Sequence, residues 1–539
     1  MHNWPFSSRE SEQYTESYPV QLFVNHRGFE RASETIWFGT SPSDVPNLAL
    51  GNSDPTIFSS YTGPDNGLVT GCVADTENGG GGGNSSRKTG FNRESIMALL
   101  ERDKPPEVAG CRDWSKRCAK AFGASTSLYD QNPLTKRFTG DPIADSFAVV
   151  ARRNCGLLAI ADGVNWGEKS RLAARAALHG AVRHLNRYLA LGDALPDTNK
   201  ALSVLLEAFV AAQANILRIG GGLTTLSVAL ALPLAGADRS PQFAVTCVSL
   251  GDSPVYLWSK TKGLRELTVG SHDLCKARDM RDAGGALGPV HGGKEPELHN
   301  LTCALTICDP GDVLLLTSDG VSDNFDPVVQ RLAVPWDPAK HCQASENEPQ
   351  DRPAMRPSER HQYGLKLMER VLLERELELN SVPSAQDVCE ALIDSVRATT
   401  QARRTLLEDP ARRVRDAGRR QSLAEKLMAL PGKLDHATVV AYEVGLYQGD
   451  EFELYEETAA LRPAPRAPVP GGGRGPRASD LDSGCASDPD CCRSSAGPAA
   501  ANGVRSASNS SDRRCSCSFA PESLSDIEFA DTDSDCVME

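Results

Sequence analysis

The chain is 539 residues long and 40% hydrophobic, and its 57 Lys and Arg against 71 Asp and Glu give a formal net charge of -14. Such an acidic chain repels phosphodiester backbones, which excludes a general nucleic-acid binder and leaves cationic protein segments as easier partners. Its 16 Cys are scattered without a compact framework and residues 1–9 (MHNWPFSSR) do not read as a secretory leader, so a reducing, intracellular compartment, cytoplasmic or nuclear, is expected.

In chain order, residues 1–110 are rich in Ser, Asn, Gly and Pro, carry a glycine run at 79–83, and are expected to be mostly disordered. Within them, 18–23 (YPVQLF) and 36–38 (IWF) are apolar enough to dock on a surface. Residues 120–446 hold the sustained apolar patterning of one large core. The runs at 147–150 and 156–161 (GLLAIA), split by Arg152, Arg153 and Asn154, predict a hairpin feeding Asp162. Helical spacing follows over 169–189 and 201–219. The runs at 223–232, 243–250 and 255–258 predict three strands, with Gly251-Asp252-Ser253-Pro254 as the tight turn of an antiparallel meander. The first of these is a buried strand and too short for a membrane span, and no transmembrane segment is expected. A further strand, 313–317 (VLLLT), ends at Ser318-Asp319-Gly320, and the last, 437–444, starts just after Asp435-His436. Between these two, residues of about 340–430 predict a basic helical insert, helical over 362–377 and 385–397, then Arg-rich from Arg403 to Arg420. Residues 447–539 turn to Pro, Gly and Ser with an acidic, Ser-bearing end, a disordered tail able to recruit partners or fold back on the basic insert.

Three aspartates share one position, the tip of an apolar strand: Asp162, Asp319 and Asp435. A strand fixes its backbone by ladder hydrogen bonds, so carboxylates at strand tips can hold two hard cations a few ångströms apart, and rigid oxygen ligands suit Mg2+ or Mn2+. Asp145, on the strand arm before Asp162, supplies a fourth carboxylate, and Gly163 leaves room for a backbone carbonyl to turn inward. A water shared between two such ions loses its proton near neutral pH and attacks phosphorus, with no Ser or Cys nucleophile required.

The ordered set Ala144-Asp145-Ser146-Phe147, Ala161-Asp162-Gly163-Val164, Gly221-Gly222-Leu223-Thr224-Thr225, Ser249-Leu250-Gly251-Asp252-Ser253, Thr317-Ser318-Asp319-Gly320 and Leu434-Asp435-His436-Ala437-Thr438 resembles the metal-dependent PPM (type 2C) Ser/Thr protein phosphatases. The resemblance implies an α+β fold, a four-layer αββα sandwich of two antiparallel sheets flanked by helices. It implies two Mg2+ or Mn2+ ions and hydrolysis of phosphoserine and phosphothreonine on phosphoprotein substrates. By residue, Asp162 and the Gly163 carbonyl would be shared or adjacent metal ligands, Asp319 and Asp435 would hold one ion, and Asp145 would hold the water shell of the other.

The chain also departs from that pattern. Val164-Asn165-Trp166-Gly167 stands where many members have His-Gly-Gly, which leaves the proton donor to the leaving group to His436, to His272 or to a water. Gly140 falls where a phosphate-binding Arg is expected, and Arg137 lies further upstream, either reaching the phosphate or remaining a solvated charge. Asp252 is either an outer ligand or a turn residue, and Asp323 is architectural or outer-shell. The readings that remain are an active protein phosphatase, a catalytically weak or inactive phosphatase-fold scaffold, and a small-molecule phosphate-ester hydrolase.

Overall fold

The computed structural model describes residues 35–64, 68, 111, 113–191, 194–236, 241–271, 282–337, 352–409 and 417–447, without the side chains of 417–422. Strands β1 (Ile36–Gly39), β2 (Ile57–Gly63), β3 (Ser115–Lys116) and β4 (Ala121–Ser127) precede the hairpin of β5 (Ser146–Arg152) and β6 (Gly156–Ala161). A helix pair follows, α1 (Glu168–Leu189) and α2 (Thr198–Ile219). Next come β7 (Leu226–Pro233), β8 (Phe243–Leu250), β9 (Val255–Ser259), β10 (Gly263–Glu266), β11 (Thr302–Cys308) and β12 (Val313–Thr317), which runs into the one-turn helix α3 (Asp319–Ser322). Two short strands, β13 (Val334–Pro335) and β14 (Ala354–Met355), lead to α4 (Pro357–Leu379), α5 (Ala385–Glu408), α6 (Ala417–Ala429) and the closing strand β15 (His436–Glu443).

Two antiparallel sheets result. One runs β1-β11-β8-β7-β6-β5-β2-β3, the other β10-β9-β12-β15-β4. Side-chain alternation explains why their strands read as unbroken apolar runs. In β6, Leu157, Ala159 and Ala161 join the core under α1 and α2, while Leu158 and Ile160 join the core between the sheets. In β12, Leu314 and Leu316 face the inter-sheet core, and Val313 and Leu315 pack toward Met368, Leu372 and Leu392 of α4 and α5. Strands buried on both faces have no solvent side to mark with polar residues, and each buried Leu, Val or Ile contributes roughly 1.5–3 kcal/mol of transfer free energy. Three cores thus separate four layers, and the expected αββα sandwich is the fold.

Local chemistry sets the helix ends. Asp197 caps α2 by accepting from the Lys200 amide at 2.8 Å, so the helix starts three residues before the apolar period does. Ser384 and Asp387 form a reciprocal capping box on α5. Helix α2 is long and apolar enough to cross a membrane by length and composition, but Ala201, Leu205, Ala208 and Ile216 are buried in the core against the larger sheet.

Two expectations need correction. Residues 36–39 and 57–63, assigned to a mostly disordered region before a domain starting at 120, are strands of the larger sheet: β1 pairs with β11 and β2 with β5. Both are too short and mixed to show a period by themselves and become strands by pairing with partners distant in sequence. The meander ends early, because β8 pairs with β7 and β11 whereas β9 pairs with β10 and β12, so the turn at 251–254 carries the chain from one sheet to the other. The helices expected within about 340–430 are α4 and α5, which pack as the outer layer on the smaller sheet. Within the Arg-rich stretch, Arg403 donates from Nε and Nη2 to the Leu430 carbonyl at 3.2 and 2.9 Å, a structural tie. Arg412, Arg413 and Arg415 lie outside the described residues, as do residues 18–23, His272 and the tail beyond Tyr447.

Candidate functional site

The topology collects the strand-tip aspartates. Ser146 pairs with Ala161, so Asp145 and Asp162, one residue beyond on either arm, leave the β5–β6 hairpin at the same end. Thr317 pairs with Val439 and the Ser318 amide donates to the Thr438 carbonyl at 3.0 Å, which brings Asp319 and Asp435 to the corresponding end of β12 and β15. A hydroxyl joins the two sheets: Ser318 Oγ donates to Asp145 Oδ2 at 2.8 Å. The backbone of Asp162 is fully engaged. Its N–H donates to Thr225 Oγ1 at 3.0 Å, and its carbonyl accepts from Thr224 Oγ1 and the Thr225 amide, both at 2.8 Å. Only its carboxylate is left to do chemistry. Gly163 is required by close approach: a Cβ there would lie 2.6 Å from the Ser170 carbonyl oxygen and 3.0 Å from that of Ala144.

The electrostatics are those of carboxylates crowded together in a buried place. Burial pushes the Asp162 carboxyl well above the usual carboxylate range, and Asp145, Asp319, Asp435 and Asp252 push it further. Burial also raises Asp145 to about 6, against the opposing pull of His436 and the Ser318 hydrogen bond. Asp145 is 1% exposed, and its Oδ1 is buried without a hydrogen bond. Asp252, in the sheet-to-sheet turn, is buried and is one of the carboxylates felt by Asp162.

Lys433, which sequence reasoning did not single out, enters the same cluster. Its Nζ lies 2.6 Å from Asp319 Oδ2, 2.8 Å from Asp323 Oδ2 and 3.1 Å from Asp435 Oδ2. Burial alone would lower its pKa, but Asp319, Asp323 and Asp435 more than reverse this and hold it well above the ordinary lysine value. The signal available in the sequence was a lysine two residues before a strand-tip aspartate. Asp323 turns out to be a partner of that ammonium.

Aromatic residues cover Asp435. Tyr129 donates its hydroxyl proton to Asp435 Oδ1 at 3.2 Å and accepts from Trp166 Nε1 at 2.8 Å, and its ring meets those of Trp166 and His436 edge-on, at 5.0 and 5.3 Å between centroids. Gly140 has φ +95, and a Cβ there would lie 2.8 Å from the Tyr129 ring, so the residue at this position cannot be the expected Arg unless Tyr129 moves. Trp166 belongs to the segment that departs from His-Gly-Gly. Of the weaker site residues, His436 is 3% exposed, its Nδ1 accepts from the Ala144 amide at 3.3 Å, and its Nε2 is buried without a hydrogen bond. Arg137 sits exposed in a turn held by the bond from the Asn132 amide to its carbonyl at 2.8 Å, and no contact with the carboxylates ties it to the centre.

The donor set fits a divalent ion on one side and meets a competitor on the other. Asp145 keeps a buried oxygen without a hydrogen bond and Asp162 is crowded by like charges, so a divalent ion there would favour their joint ionisation. Asp319 and Asp435 already face the Lys433 ammonium, and among the described residues no three His, Cys, Asp or Glu side chains converge as a closed ligand set.

Two stacked antiparallel sheets, helix pairs outside and carboxylates from both sheets at one end define a phosphatase-type domain. Known proteins agree: the family described as protein phosphatase 2C matches residues 135–349. The PP2C-like domain-containing protein CG9801 of Drosophila melanogaster is 34% identical over 508 residues, covering 75% of this chain and 71% of that protein. The chain therefore belongs to the protein phosphatase 2C family. Among solved structures, a phosphatase from Toxoplasma gondii is 12% identical with a TM-score of 0.32, covering 61% of this chain and 95% of that one. The serine/threonine phosphatase Stp1 of Staphylococcus aureus is 13% identical with a TM-score of 0.28, covering 60% and 95%.

Proposed function

We propose that the chain hydrolyses phosphoserine and phosphothreonine on proteins with the help of divalent cations, Mg2+ or Mn2+. The observation that carries this reading is geometric: Asp145 and Asp162 leave one sheet, and Asp319 and Asp435 the other, at one common end, joined by the Ser318–Asp145 hydrogen bond. When bound, divalent ions would lower the pKa of water and offset the charge of the phosphoryl oxygens. Of two such ions, one would be held by Asp319 and Asp435 and the other supported through water by Asp145, with Asp162 and the Gly163 carbonyl shared or adjacent. The chain's own polar groups orient these ligands: Ser318 fixes Asp145, and Tyr129 fixes Asp435. Arg137, exposed in its turn, is the candidate phosphate contact. A reducing, intracellular setting belongs to the reading, supported by the buried free thiols of Cys155, Cys247, Cys303, Cys308 and Cys389.

A second reading, a weak or inactive phosphatase-fold scaffold, is favoured by the Lys433 ammonium among Asp319, Asp323 and Asp435 and by Gly140, packed against the Tyr129 ring, standing where the phosphate-binding Arg was expected. One experiment separates the two. Mn2+-dependent phosphate release from a phosphothreonine peptide, and from a small aryl phosphate, is measured for the full chain and its Asp162→Ala and Asp319→Ala variants. Release from the peptide that both substitutions abolish supports the phosphatase, preference for the aryl ester points to a small-molecule enzyme, and a folded but inert parent supports the scaffold.

A further inference from the structure

One side of the acidic centre already contains a cation. The three contacts of Lys433 Nζ, at 2.6, 2.8 and 3.1 Å to Asp319, Asp323 and Asp435, have the length of charge-assisted hydrogen bonds and match the three protons that an ammonium can donate. The backbone beneath it is clamped from both sides by one buried amide. Asn324 Oδ1 accepts from the Lys433 N–H at 2.8 Å, and Asn324 Nδ2 donates to the Lys433 carbonyl at 3.0 Å and to that of Gly320 at 2.7 Å. Gln330 Nε2 in turn donates to the Asn324 carbonyl at 2.8 Å. This lysine is therefore aimed by tertiary contacts, unlike a surface lysine that samples many rotamers. The other side of the centre differs: among the described residues no Lys or Arg forms an ion pair with Asp145 or Asp162, and Asp145 Oδ1 has no hydrogen bond.

We propose that Lys433 is a resident cation of this centre, whose ammonium takes the place between Asp319 and Asp435 that a divalent ion would otherwise hold. The inference rests on the metal-dependent reading only in sharing its carboxylates. A divalent ion and an ammonium cannot use the same carboxylate oxygens at once, because like charges repel and each needs the lone pairs that the other occupies. The native chain then loads one divalent ion fewer than the same centre without the lysine, on the side of Asp145, Asp162 and Gly163.

The test counts ions without substrate. Mn2+ is titrated calorimetrically into the metal-stripped full chain, Lys433→Ser, Lys433→Arg and the double variant Lys433→Ser with Asp319→Asn. Lys433→Ser is expected to bind one more ion per chain than the parent, Lys433→Arg to keep the parent's count, and the double variant to lose the gain. Equal counts in parent and Lys433→Ser, with affinities within about threefold, would overturn the proposal. If removing the ammonium unfolds the metal-free chain, Mn2+ is expected to restore its melting transition, and failure to restore it also overturns the proposal. A chain that gains the ion yet releases no phosphate upholds Lys433 as resident cation and sinks the phosphatase reading. A chain that releases phosphate with unchanged ion counts does the reverse.

Discussion

Ser318 Oγ and Asp145 Oδ2, 2.8 Å apart, join the ends of the two sheets where the carboxylates gather. The same hydroxyl accepts from the Thr438 amide at 3.0 Å, so one serine couples β12, β15 and the arm of β5. Substituting Ser318 by Ala leaves the buried Asp145 oxygen without its donor. The expected cost is about 1–3 kcal/mol in denaturant unfolding of the chelated protein. A loss under about 0.5 kcal/mol would mean that the sheets hold this end together unaided.

Two of the aspartates should move stability in opposite directions. Ionised Asp162 is disfavoured by burial and by its neighbours, so Asp162→Ala is expected to raise the melting temperature in the presence of chelator. Asp319 holds the Lys433 ammonium at 2.6 Å, so Asp319→Ala is expected to cost about 1–3 kcal/mol. Asp162→Ala should also reduce metal-dependent phosphate release about 100-fold or more. Melting curves of the two variants side by side provide the check.

Asp145 also gives the metal-free protein a pH dependence of definite sign. Its carboxyl is raised from 3.8 to about 6 in the folded chain, so across that window the folded state binds the extra proton. Stability should fall as pH rises through it, by up to about 3 kcal/mol, with the full penalty reached above the folded value. Asp162 shifts in the same direction and adds to the trend. Asp145→Asn should flatten this part of the stability profile, and an unchanged slope would assign it to other groups.

Tyr129 and Gly140 are linked by space. Tyr129→Phe removes the hydrogen bonds with Asp435 and Trp166 and is expected to cost about 1 kcal/mol with the fold intact. Gly140→Ala should cost more, about 1–3 kcal/mol, because φ +95 strains any side chain and its Cβ would press on the Tyr129 ring. If the two substitutions were equally mild, Tyr129 would not be what fills that place.

Strands before residue 120 belong to the larger sheet. A segment of residues 110–450 lacks β2, which sits between β5 and β3, and β1, which covers the edge at β11. It is expected to aggregate through the uncovered sheet edges, whereas residues 30–450 should give a cooperative melt. Expression of both segments and comparison of their soluble yields decides the point.

The inner strands and their carboxylates were legible in the sequence because each strand is buried on both faces and each aspartate sits at the point where the apolar run stops. Asp145, Asp162, Asp319 and Asp435 needed no partner to be noticed, since a charge at the tip of GLLAIA or VLLLT interrupts a pattern. Strand β1 has no such pattern, and its four residues become a strand only because β11 offers them an edge. The Gly251–Pro254 turn reads as a hairpin in sequence, yet the chain changes sheets there, because β9 finds its partners in β10 and β12. Lys433 reads as an ordinary lysine until Asn324, over 100 residues earlier, clamps its backbone and turns its ammonium toward Asp319. The sequence by itself determined which residues would be buried and which carboxylates would end strands, since both follow from local patterning of apolar and charged side chains. Only the tertiary structure decided which strands share a sheet, what covers their edges and which cation stands among the aspartates, because those depend on contacts between segments that no local pattern encodes.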